Sequence, residues 1–124
     1  MLKDSTATAC FSTDSKARAK EFYVDTLDIP LFMETDDTIV LQFADGTRAL
    51  IYEKEDHVPA AHTVLVLSGK DVEDEVGQLK ARGIEIADLD FTDPDGIARD
   101  DAMPPTAWFQ DPAGNWIAVG EMPA

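Results

Sequence analysis

The sequence predicts an α+β domain made of two tandem βαβββ modules that form a cupped mixed sheet. Three observations predict it: an internal repeat, period-two alternation in short segments, and one helical stretch in each half. The repeat weighs most. Phe43-Ala44-Asp45-Gly46-Thr47 followed by Leu50-Ile51-Tyr52-Glu53 is matched by Phe109-Gln110-Asp111 and Gly114-Asn115, then Ala118-Val119-Gly120-Glu121. The second copy carries a two-residue insertion in its turn. A single module has one helix on one sheet face and leaves the other bare, so two must pair. The expected domain spans 1–124, with modules over 6–54 and 62–121 and the functional site in the hollow between their sheets.

The elements follow in order. Residues 6–12 alternate and predict a strand, with Ala7, Ala9 and Phe11 on one face and Thr8, Cys10 and Ser12 on the other. Thr13 or Asp14 is suited to cap the helix that follows, in which Ala19, Phe22, Tyr23, Thr26 and Leu27 recur at helical spacing. Asp28 falls just past its end, where a left-handed residue is usual, and Asp tolerates that conformation less easily than Gly. Strands are expected near 31–34, 38–43 and 48–53, with Asp45-Gly46 as the hairpin signal between the last two. The segment Lys54–Ala61, charged and broken by Pro59, reads as a linker. His62–Leu67 reopens the pattern as a strand, and Val72, Val76 and Leu79 mark a helix that ends at Gly83. Ile84–Ala87 predicts a short strand, and a long acidic loop over 88–103 leads to a hairpin with strands near 106–110 and 115–121.

Composition narrows the function classes. Apolar residues make up 44% of the chain, enough for a packed core, and no apolar run approaches the ~20 residues of a membrane span. Met1-Leu2-Lys3-Asp4-Ser5 lacks the pattern of a secretory signal, and the single cysteine, Cys10, has no internal disulfide partner. A cytoplasmic protein with no membrane partner is expected. With 25 acidic against 10 basic residues the formal charge is −15, a field that repels a phosphate backbone, so no nucleic-acid partner is expected. Two readings of that acidity remain open: a solvated surface, or a field that attracts a cationic small molecule.

Two stretches carry a resemblance. Ser12-Thr13-Asp14 through Ala19-Lys20-Glu21-Phe22-Tyr23-Val24-Asp25-Thr26-Leu27 is similar to the opening motif of the vicinal oxygen chelate superfamily. Trp108-Phe109-Gln110-Asp111-Pro112-Ala113-Gly114-Asn115-Trp116-Ile117 resembles its closing hairpin, and Leu79-Lys80-Ala81-Arg82-Gly83 the end of its second helix. Asp28 departs from the glycine usual there. That superfamily includes glyoxalase I, extradiol dioxygenases and bleomycin-resistance proteins. The resemblance implies a cup-shaped cavity lined by both modules, where metal-dependent members hold a divalent cation on four side chains. The matching positions are Thr8, Leu50, His62 and Ala118, of which His62 alone is a good donor, so no metal and no cofactor are expected.

Alternation carried through all strands assigns Thr8, Cys10, Val40, Gln42, Arg48 and Leu50 to the cavity, together with Tyr52, His62, Val64, Trp108, Trp116 and Ala118. Phe11, Leu41, Phe43, Leu65, Phe109, Ile117 and Val119 fall on the face toward the helices. Tyr and Trp beside a few polar groups suit a flat or aromatic ligand, although both tryptophans equally fit a cavity filling or a dimer interface. His62 is a candidate general base, against a plain hydrogen-bonding role. Cys10 reads as a small buried apolar residue, His57 as an exposed linker residue, and Asp93-Pro94-Asp95-Gly96 as a turn rather than a calcium loop. The expected function is metal-free binding or sequestering of an aromatic or cationic small organic molecule by a homodimer. The alternatives are a glyoxalase-like lyase, isomerase or dioxygenase with an atypical or metal-free site, and a structural dimer without a ligand.

Overall fold

In β1 (Ala9–Thr13) Phe11 and Thr13 are buried while Cys10 is exposed, the period-two pattern of a strand covered on one face. The structure, a computed structural model, describes residues 1–121; the last three residues of the expected 1–124 domain lie outside them. β1 begins at Ala9 rather than at residue 6, so Thr8 precedes the strand. The helix cap is Ser15, not Thr13 or Asp14: its extended backbone (φ −153°) lets its hydroxyl accept from the Arg18 N–H. Thr13 is instead buried, with its hydroxyl against the Ser15 backbone.

α1 (Lys16–Lys20) widens into a π-helical turn over Glu21–Thr26, where the Leu27 N–H donates to the Phe22 carbonyl. This wider turn seats Tyr23 fully in the core, edge-on to both Phe11 and Phe22. Asp28 takes the left-handed conformation expected of it, at φ 59°. β2 (Leu31–Glu34), β3 (Thr38–Gln42) and β4 (Arg48–Glu53) complete a four-stranded sheet of order β1-β4-β3-β2. β1 and β4 are parallel and the other pairs antiparallel. Ile39, Leu41, Ala49 and Ile51 are fully buried on the face that α1 covers. Burying side chains of this size contributes roughly 1.5–3 kcal/mol for each large one.

The chain divides into two compact units, the first Met1–Pro59 and the second beginning at Ala60. The second repeats the plan with β5 (Thr63–Gly69), α2 (Val72–Ala81), β6 (Ile97–Asp100), β7 (Met103–Gln110) and β8 (Trp116–Glu121). Its order is β5-β8-β7-β6, with β5 and β8 parallel. Asp71 caps α2, and Val72, Val76 and Leu79 form its buried stripe as the spacing predicts. Beneath it Ala107, Phe109, Ile117 and Val119 are buried.

One element is displaced. Residues 84–87 are irregular, with the Ala87 N–H donating to the Trp108 carbonyl of β7. The edge strand is β6, inside the stretch expected to be loop. The Asp93 carboxylate accepts from the N–H groups of Asp95 and Ile97 and from Arg99, folding a turn that delivers buried Ile97 and Ala98 to β7. At the hairpin between β7 and β8, Asp111 and Asn115 are buried. Asp111 accepts from the N–H groups of Ala113 and Asn115 and from the Asn115 amide, which closes the turn.

Candidate functional site

Each unit has a sheet face turned away from its helix, and cross-strand register states which residues share it. In the first unit Cys10 pairs with Leu50 and Leu50 with Val40, Ser12 with Tyr52 and Tyr52 with Thr38, and Arg48 with Gln42. Cys10, Gln42, Arg48, Leu50 and Tyr52 therefore share one face, as alternation predicts. Cys10 is exposed there rather than buried. Thr8 lies outside the strand and is exposed. Phe43, expected on the helix side, ends just beyond β3 and is half-buried.

This face has three zones along the strands. Arg48 and Gln42 stand at one end, Leu50, Val40 and Cys10 in the middle, and Tyr52, Thr38 and Ser12 at the other. The Arg48 guanidinium lies over the Phe32 ring, 3.7 Å from its centroid. Phe32 escaped sequence reasoning because β2 carries an irregularity between Leu31 and Met33, which breaks simple alternation. At the far end Ser12 Oγ and His57 Nδ1 are 2.6 Å apart. His57 is thus half-buried and tied to β1 rather than exposed in a linker, because the Lys54 N–H donates to the Thr13 carbonyl and folds the segment back. No sequence pattern signals that pair, since its members lie 45 residues apart.

In the second unit Thr63 and Gln110 both pair with Trp116, while Trp108 and Val66 both pair with Ala118. Both tryptophans and Ala118 share a face, as expected. Trp108 Nε1 donates to Thr63 Oγ1 at 3.1 Å, and the Phe91 ring meets the Trp108 ring edge-on at 5.4 Å. Val66 and Phe91 remain 54% and 62% exposed, large apolar surface left beside a held indole. His62 is not part of this array: it lies in the bend before β5 and is exposed. A register shift between Thr63 and Leu65 brings Thr63, not His62, opposite Trp116. Val64 falls within that shift and pairs with no residue of β8.

The four positions that the metal-dependent pattern implies do not suit a divalent cation here. Leu50 and Ala118 have no donor atom, and Thr8 and His62 both lie outside their strands. Among the described residues no group of three or more His, Cys, Asp or Glu side chains is arranged to hold a metal.

An open cleft of about 710 Å³ lies on the helix side of the first unit, lined by Lys16, Lys20, Glu21, Asp25 and Glu34 among others. Its cations are already engaged. Both lysines reach Glu34 at 2.9 Å, and Lys16 also donates to the Thr35 carbonyl. Lys20 first, then Lys16, holds the Glu34 carboxyl below the usual carboxylate range. The cleft is a structural clamp between α1 and β2.

Two successive βαβββ units, each a four-stranded mixed sheet backed by one helix, define an α+β protein of repeated modules. The profile of the Glyoxalase/Bleomycin resistance protein/Dioxygenase superfamily matches residues 7–119, and the chain belongs to that superfamily. Among solved structures it is similar to a lactoylglutathione lyase from Agrobacterium tumefaciens (16% identity, TM-score 0.73, 94% of this chain and 93% of that one). It is also similar to TnmS3, an antibiotic binding protein from Streptomyces sp. CB03234 (21%, 0.72, 97% and 98%). A third similar structure is a bleomycin-binding protein complexed with bleomycin (17%, 0.72, 95% and 98%). At these identities the likeness is one of fold. No curated protein matches the chain. No helix among the described residues is long and apolar enough to cross a membrane.

Proposed function

We propose that this chain reversibly binds a small, flat organic molecule on the sheet faces turned away from its helices, without a metal. The observation that carries the reading is Trp108. Its indole N–H is satisfied by Thr63 and its ring is braced edge-on by Phe91, so it is held in place while the apolar surface of Val66 and Phe91 beside it stays exposed. A pre-oriented aromatic of this kind offers a ligand ring roughly 0.5–1.5 kcal/mol beyond area burial. Structures of the same fold that bind antibiotics support the class of function. An enzymatic reading draws on the Ser12–His57 pair, where an imidazole nitrogen sits within hydrogen-bond reach of a hydroxyl.

Tryptophan fluorescence tests the binding reading. Titration with planar aromatic compounds, acids and cations side by side, is expected to quench or shift the emission saturably. Trp108→Ala should weaken that binding about tenfold, a loss near 1.4 kcal/mol, and Thr63→Val, which frees the indole N–H, should weaken it less. Unchanged emission with both classes, or undiminished affinity in Trp108→Ala measured by calorimetry, defeats the proposal. Turnover of a bound compound that disappears in His57→Ala would move the assignment to an enzyme.

A further inference from the structure

We infer that the face of the first unit's sheet turned away from α1 holds, at its Arg48 end, a site for a planar organic anion, an aromatic carboxylate, with Arg48 receiving the carboxylate. The inference rests on the small-molecule reading above and names the ligand class for that face. Among the side chains that register places there, Arg48 carries the only charge: its neighbours are Gln42, Val40, Leu50, Tyr52 and the β1 residues Cys10 and Ser12. That is a notable clearing in a chain with 25 carboxylates and 10 basic residues. Among the described residues no carboxylate forms an ion pair with Arg48, whereas Lys16, Lys20, Lys54 and Arg99 all have acidic partners. Asp45, in the turn at the same end of the sheet, folds its carboxylate onto the N–H and hydroxyl of Thr47 instead.

The geometry is that of a prepared anion receptor. Contact with the Phe32 ring restricts the guanidinium, which lowers the ordering cost of presenting its forked N–H donors to a carboxylate. Gln42, directly opposite in the register, brings a side-chain amide to the same end. Leu50, half-buried, follows two residues along β4, about 7 Å away, the reach of one or two fused rings bearing a carboxylate. Tyr52 and the Ser12–His57 pair, about 13 Å from Arg48 along the strand, supply polar groups for the ligand's far end. Register places no carboxylate among the paired strand residues of this face to receive a cation. The overall charge of −15 opposes an anion at long range, but fields are screened over about 8 Å at physiological salt, so contact chemistry decides affinity.

The test is isothermal titration of the full chain with 2-naphthoate, 2-naphthamide and 2-naphthylmethylammonium, which share a ring system and differ in charge. Naphthoate is expected to bind at least about tenfold more tightly than the amide, and the cation no better than the amide. Arg48→Met, which keeps an apolar stem over Phe32, should abolish the preference of naphthoate over the amide, with the larger loss falling on naphthoate. Arg48→Lys should restore only part of the preference, because it returns charge without the planar fork. Circular dichroism melts confirm that each variant is folded. Equal affinity for acid and amide, preference for the cation, or a preference for the acid that survives Arg48→Met overturns this inference and leaves the binding function standing. Failure of all three probes to bind overturns both.

Discussion

Gly96 shows how much one position can decide. It is buried at φ +90°, and a Cβ built there would meet Ile86 Cγ2 at 2.5 Å and the Ala87 carbonyl oxygen at 3.3 Å. Both the backbone conformation and the close approach exclude a side chain. Gly96→Ala is therefore expected to cost roughly 2–4 kcal/mol in urea denaturation, combining backbone strain with overpacking. Adding Ile86→Ala should relieve the steric part, making the double variant less destabilised than the sum of the single ones. Strict additivity in that cycle would show that Ile86 is not the obstacle. Thr63 teaches a related lesson for the site. As a residue type it attracts no attention in the sequence, yet it receives the Trp108 N–H and stands opposite Trp116.

At the scale of elements, the clamp between α1 and β2 yields a pH dependence. Glu34 pairs with Lys20 and Lys16, and its carboxyl is held below its ordinary value, chiefly by the bond from Lys20. A carboxyl whose folded pKa is depressed stabilises the fold fully above its unfolded pKa, and that contribution is lost as pH falls through the lower folded pKa. Glu34→Gln should therefore lower Tm slightly at neutral pH, and the two melting curves should converge under acid conditions. A Tm difference that persists unchanged into strong acid would falsify the ion-pair origin. Elements with local signatures were legible in the sequence: β2, β3, β4 and α2 fall within a residue or two of their expected bounds, and Asp45-Gly46 makes its turn with Gly46 at φ 88°. β6 was not. Ile84 and Ile86 alternate as an edge strand should, but the Asp93 turn delivers Ile97 and Ala98 to β7 instead.

For the whole molecule, we propose a homodimer. Within their own sheets β1, β2, β5 and β6 are each paired on one side only, and β2 leaves Phe32 and Met33 46% and 50% exposed. Unpaired strand edges and apolar surface of this kind favour self-association into a closed symmetric pair. Light scattering on the eluting peak is expected to give twice the 13.6 kDa chain mass at micromolar concentration. Monomer mass across that range removes the proposal.

By itself the sequence determined the repeated βαβββ plan, the superfamily, and the face occupied by most strand residues. These rest on local signals: period-two alternation, caps, turn residues, and a motif that hydrogen-bonds to itself between Asp111 and Asn115. Alternation survives only while a strand is regular. The irregularities in β2 and β5 therefore hid Phe32 and Thr63, and His62, expected to open the strand, lies in the bend before it. Only the tertiary structure decided that Arg48 stacks on Phe32, that Ser12 meets His57 and that Trp108 is anchored to Thr63. Each of these contacts joins residues far apart in the chain, brought together by sheet order and strand register, which no local pattern encodes.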